Sequence, residues 1–294
     1  MITISTSLRQ HILSRRAKLV VCFFSLGAAL SYRWATLLPE VLEAYFLFGL
    51  STLFLACAIF TRRSFGLRNY WEIPFAFFIF AFAGSLDIFL TQSFLANILH
   101  QSPTFTNPFA STVQGTVAAQ LVSTVSIVIP IAILTKLSGR NLDSIFIDRH
   151  LVRKGLPIGV FGFLVFYSLT LMGLLQLFFP SNISLTRFLS LTPAILALTL
   201  SNGLREELWF RGLFLKKYER FLSPSISNLL QASIFASFHL QAHYTPFLLV
   251  FVGITFMLGL WLGHLMRASG NILGPAVFHA GADIPIFLVF LSQI

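Results

Sequence analysis

The chain reads as an all-α, polytopic transmembrane helical bundle of about nine spans, and three observations lead there. Of its 294 residues 56% are hydrophobic and only 10% are charged, whereas soluble domains carry about 25% charged residues. The mean hydropathy is +0.83. Apolar stretches of about 20 residues, enough to cross a bilayer, succeed one another and leave no room for a separate soluble domain. Finally, all but Arg33 and Arg187 of the 20 Lys and Arg fall at alternate ends of these stretches, the bias that keeps basic loops in the cytoplasm. Topology thus accounts for the net charge of +10, and no basic run interleaved with aromatics points to nucleic acid.

The elements follow in order. A basic N-terminus with Arg9, Arg15, Arg16 and Lys18 leads into a first span from Leu19 to about Leu38, longer than the apolar core of a cleaved signal peptide. The second span is read at 41–60 and the third at 71–91. The third holds Asp87, whose sequence neighbours Ser85 and Thr91 offer no charge partner; it is read as a hydrogen-bonded packing residue. A polar connection from Gln92 to Thr112 precedes a fourth span at 113–134. The charged loop from Lys136 to Lys154 is the one internal boundary. It divides an accessory bundle, residues 1–135, from a functional core, residues 150–294. A fifth span is expected at 156–179 and a sixth from Thr192 or Pro193 to Tyr218. The seventh is placed at 224–243, the eighth at 246–266 and the ninth at 271–292. Cys22 and Cys57 lie inside spans without ligand or redox spacing and are read as small buried hydrophobes. This threading puts the N-terminus in the cytoplasm and the C-terminus outside, in a multi-pass protein of a bacterial inner membrane.

Chemistry concentrates in the core. The stretch Asn202-Gly203-Leu204-Arg205-Glu206-Glu207-Leu208-Trp209-Phe210-Arg211-Gly212 sets adjacent carboxylates inside an apolar segment, where an ionisable side chain costs roughly 2.5–3.5 kcal/mol and marks a functional site by default. Glu207 and Arg211 are four apart on one helical face and should pair, whereas Glu206 points about 140° away from Arg211 and should be free. Two further groups follow: Phe235 to His239 and on to His243, and His279-Ala280-Gly281-Ala282-Asp283. His279 and Asp283 share a helix face, and His239 can join them from a neighbouring helix. A buried carboxylate with imidazoles suits water activation: the acid takes a proton from water and returns it to a leaving amine. Histidines with an aspartate can hold the water or the oxyanion. Each group also has a plainer use, Glu207 with Arg211 as a structural pair, His239 as a packing residue, and His279 with Asp283 as a clamp between helices. Alternatively, Glu206, His239, His279 and Asp283 could ligate a divalent metal such as zinc, although the HExxH arrangement is missing. His243 is read as interfacial.

These motifs resemble the CPBP family of intramembrane proteases, which includes CAAX prenyl endopeptidases of the Rce1 type and bacteriocin-processing and self-immunity proteins. The family's EExxxR, FxxxH and HxxxN/D motifs read here Glu206 to Arg211, Phe235 to His239 and His279 to Asp283, and Gly270 to Pro275 resembles the approach to the last of them. The resemblance spans residues 150–294. It implies an intramembrane endopeptidase in which Glu206 activates water with His239, His279 and Asp283 stabilise the oxyanion or orient the water, and Glu207 and Arg211 shape the site or hold substrate. It requires no cofactor. Where some members carry Asn, this chain has Asp283, which must be protonated to donate to an oxyanion or else orients His279. The implied partners are membrane lipid and a membrane-anchored protein or peptide, cleaved near the cytoplasmic face. The competing functions are a non-catalytic immunity or scaffold protein of the same fold and a proton-coupled transporter.

Overall fold

The structure, a computed structural model, describes residues 6–98, 112–148, 152–181 and 183–294. Most of the expected connection over Gln92–Thr112, Arg149 and the side chains of Arg9 and Arg15 lie outside what is described. Among the described residues every regular element is helical: α1 (Thr6–Ala35), α2 (Glu40–Arg63), α3 (Glu72–Asn97), α4 (Val113–Leu137), α5 (Val152–Leu171), α6 (Leu185–Glu206), α7 (Leu213–Tyr218), α8 (Pro224–Ser237), α9 (Leu248–Ser269) and α10 (Leu273–Ser292). A π-helical turn, Glu207–Gly212, joins α6 to α7, so the motif sits inside one long continuous helix.

The nine expected spans are matched in part. Six described helices, α2, α3, α4, α5, α9 and α10, are long and apolar enough to cross a membrane. Helix α6 carries Arg187, Asn202, Arg205 and Glu206, which lower its hydropathy, and α1 carries Arg16, Lys18 and Arg33. The expected seventh span is not one helix. It begins where Ser223 caps the Ile226 N–H and Pro224 takes the first position, a placement that suits proline, but it ends at Ser237 after 14 residues. At 1.5 Å per residue that is about 21 Å, short of a ~30 Å hydrocarbon core. Beyond it the chain turns through Phe238–Phe247 before α9 starts. Pro246 lies in this stretch, and the residue before a proline is pushed out of helical geometry.

Two packing arrangements position the site. Helices α5 and α10 approach closely through glycines: a Cβ at Gly159 would lie 2.3 Å from the Gly274 carbonyl oxygen, and one at Gly281 would lie 2.6 Å from the Phe163 Cα. Small residues at such crossings bring membrane helices into backbone contact. The second arrangement is an aromatic core in which Tyr32 of α1, Phe77 and Phe80 of α3, Phe210, Phe214 and Phe235 are buried together. Trp209 adds a directional tie, its Nε1–H donating to the Phe80 carbonyl at 3.1 Å. The N-terminal helices therefore pack directly on the motif.

Candidate active site

The motif helix, α8 and α10 bring the expected residues together. Glu207 is fully buried. Its Oε1 accepts from Arg211 Nη1 at 2.6 Å and from His279 Nδ1 at 2.7 Å. The i,i+4 pair is therefore present, and its carboxylate also fixes the imidazole of α10. Arg211, likewise fully buried, lays its guanidinium over the Phe235 ring at 4.1 Å from the centroid. Such a cation–π contact stabilises a desolvated cation. A glycine at position 259 leaves room for it, since a Cβ there would lie 3.3 Å from Arg211 Nη2.

Glu206, expected to be free, is not. Its Oε1 accepts from Asn202 Nδ2 at 3.2 Å and lies 3.5 Å from Arg205 Nη2. The ideal-helix angle also does not apply, because the chain enters the π turn immediately after Glu206, and such turns recur at functional sites. Glu206 Oε2 lies 3.7 Å from His279 Nε2, and Asp283 Oδ1 lies 3.6 Å from the same nitrogen. One imidazole thus donates from Nδ1 to Glu207 while its Nε2 is approached by Glu206 and Asp283. The second oxygen of Asp283, Oδ2, accepts from Asn202 Nδ2 at 2.9 Å.

His239 arrives by the break in the seventh segment. It sits in the turn two residues past the end of α8, and its Nδ1 lies 3.0 Å from the Phe235 carbonyl oxygen. A carbonyl only accepts, so this contact requires the proton on Nδ1 and, in the neutral ring, leaves Nε2 as the basic nitrogen. His239 and Glu206 line one cavity of about 290 Å³, walled by Trp209, Phe210, Phe238 and Tyr244. His243 is exposed, and the turn around it removes the helical His239–His243 pairing that a metal reading used. Among the described residues no group of three or more His, Cys, Asp or Glu side chains is arranged to hold a metal ion.

Two contributors were not assigned from sequence: Arg205 immediately precedes Glu206, and Asn202, one turn earlier at i−4 from Glu206, carried a readable signal in that spacing. Asp87, read as a hydrogen-bonded packing residue, accepts from Thr91 Oγ1 at 3.0 Å. The segment from Gly270 has a positioning role as well. Gly270 ends α9 in a left-handed conformation, φ 69°. Asn271 Oδ1 accepts from the Leu273 N–H at 2.8 Å, and Ile272 N–H reaches the Phe146 carbonyl at 3.0 Å. Asn271 Nδ2 also donates to the Asp148 carbonyl. These bonds fix the start of α10, whose first three turns or so carry His279 and Asp283.

Fold and site together define a multi-pass, helical integral membrane protein with a buried carboxylate–imidazole cluster. Residues 188–285 match the family described as Type II CAAX prenyl endopeptidase Rce1-like. The match contains every residue of the cluster, so the resemblance carried by the motifs holds over this segment, and the family it names is one of endopeptidases. No curated protein and no solved structure matches the chain.

Proposed function

We propose that this protein is an intramembrane endopeptidase that hydrolyses a peptide bond of a membrane-anchored protein or peptide. The observation that carries the reading is the shared cavity: Glu206 and His239 line it together, and His279 Nε2 stands 3.7 Å from Glu206. Glu206 takes a proton from water as the oxygen attacks the scissile carbonyl carbon, and returns it to the leaving nitrogen as the C–N bond breaks. His239 Nε2 accepts a hydrogen bond from that water and orients it. His279, in its protonated form, donates Nε2–H to the developing oxyanion, an interaction worth ~2.7–4 kcal/mol for a preorganised donor. Asp283 orients His279, and Glu207 with Arg211 holds the ring from the other side.

A divalent metal on Glu206, His239, His279 and Asp283 is the rival role for the same groups. His279 Nδ1 donates to Glu207 and leaves Nε2 open, as behind metal-bound histidines, but among the described residues no group of three or more His, Cys, Asp or Glu side chains is arranged to hold a metal ion, so no step is assigned to one. Glu206 lies 12 residues before Tyr218, about 18 Å of helix from the basic end, which favours cleavage deeper in the bundle than the cytoplasmic edge. The basic ends face the cytoplasm of a bacterial inner membrane in this reading, with the N-terminus among them.

The test compares, by mass spectrometry of protein termini, membranes from cells making wild-type protein or Glu206→Gln at equal level. Termini that appear only with the wild type and persist with a chelator establish glutamate-type proteolysis and its substrates. Matching samples from two folded proteins would favour the immunity or scaffold alternative, and chelator-sensitive termini would restore the metal.

A further inference from the structure

The buried amide of Asn202 stands between the two carboxylates that the hydrolytic reading uses. An asparagine side chain offers two hydrogens on Nδ2 and two lone pairs on Oδ1, and here all four are used. Nδ2 donates to Glu206 Oε1 at 3.2 Å and to Asp283 Oδ2 at 2.9 Å. Oδ1 accepts from Arg205 Nη2 at 2.5 Å and from Gln120 Nε2 at 3.3 Å. Reversing the amide would set its oxygen against two carboxylates and its hydrogens against a guanidinium and an amide donor. Only one orientation satisfies the neighbours, and a buried unsatisfied group is costly.

The donors that impose this orientation are held by α4, outside the segment that matches the endopeptidase family. Gln120 is fully buried on α4. Ser123, three residues along and on the same face, accepts from Arg205 Nη1 at 2.5 Å. Arg205 is thereby fixed between α4 and Asn202, with Glu206 Oε1 3.5 Å from its Nη2.

We propose that Asn202 is a positioning residue that holds Glu206 and Asp283 at one catalytic centre, and that α4, through Gln120 and Ser123, sets its orientation. This assigns the N-terminal helices a part in the site rather than in bundle stability alone. It rests on the hydrolytic reading, so the test carries one readout that does not need proteolysis.

The first readout is dicyclohexylcarbodiimide labelling of carboxyls in membranes, located by peptide mass spectrometry. The reagent enters apolar sites and reacts through the protonated acid, and removing donors to a carboxylate favours that form. Asn202→Leu should raise labelling at Glu206 or Asp283 about fivefold, the scale of one lost hydrogen bond. Asn202→Asp keeps the shape and the acceptor for Arg205 but loses the Nδ2 donors, and should behave like Leu. Asn202→Gln retains an amide and should fall closer to wild type. Gln120→Leu, acting at one remove, should raise labelling by a smaller factor. The second readout is the rate at which Glu206-dependent termini appear, which should fall in the same order. Wild-type labelling in Asn202→Leu, with unchanged thermal unfolding, would overturn the proposal. Should Asn202→Leu fail to fold, unchanged labelling in Gln120→Leu would overturn it equally. If the wild type yields no Glu206-dependent termini, the hydrolytic reading fails, while the labelling series still decides whether Asn202 holds the two acids.

Discussion

Glu207 and Arg211 illustrate what a charge inside a bilayer demands of its neighbours. Neither is exposed, and between them they engage His279 and the face of Phe235. Removing one partner of a buried pair leaves the other uncompensated, which typically costs about 3–5 kcal/mol. Arg211→Leu should therefore lower thermal stability in detergent by that order, and Glu207→Gln with Arg211→Leu should recover part of the loss. A double variant no more stable than Arg211→Leu would show that the pair is not the source. Glu206→Gln is the contrasting case: it keeps the acceptor for Asn202, so unfolding should match wild type while Glu206-dependent cleavage disappears. The pair was legible because i,i+4 spacing on one helix is visible in sequence. The environment of Glu206 was not, because it depends on a π turn and on Arg205 reaching α4.

At the scale of elements, glycines decide how near the motif helix comes to α10. A Cβ at Gly203 would lie 2.4 Å from the Ala276 carbonyl oxygen and 3.0 Å from the Ala280 backbone nitrogen. Backbone cannot yield as a flexible side chain can, so Gly203→Ala must push α6 and α10 apart at the level where Glu206 and Glu207 meet His279. Activity should fall at least tenfold, the consequence of a displacement on the order of 1 Å in a preorganised site, with a smaller fractional loss of stability. Gly253→Ala, where an added Cβ meets nothing within 4 Å, is the matched control and should leave both unchanged. Equal activity in the two variants would remove close approach from the account. Most helices were legible from apolar length. The end of α8 was harder, because hydropathy averages across Ser237 to Thr245 and registers an apolar run. Gln241, His243, Thr245 and Pro246 were the available signals, and the structure turns there. His239 lies in that turn and shares a cavity with Glu206.

For the whole molecule, charge placement makes a demand that the short α8 renders specific. Lys216, Lys217 and Arg220 precede α8 and Arg267 ends α9. If both groups lie on the cytoplasmic side, the 14 residues of α8 and the connection to Leu248 must together carry the chain across. The helix supplies about 21 Å of that path, and the irregular remainder is tolerated at membrane depth only where it is buried in protein or lines a cavity. The connection does line one, through Phe238, His239 and Tyr244. The orientation can be read with single cysteines after Cys22 and Cys57 are replaced by alanine. Phe65, fully exposed between α2 and α3 beside Arg62, Arg63 and Arg68, marks the basic end. Thr186, exposed in the first turn of α6, marks the other. With a membrane-impermeant maleimide, Thr186→Cys should label in intact spheroplasts and Phe65→Cys only in inverted vesicles. The reverse pattern would place the basic ends outside, against the charge rule. It would also turn the His239 connection toward the cytoplasm, and with it the side from which a substrate reaches Glu206.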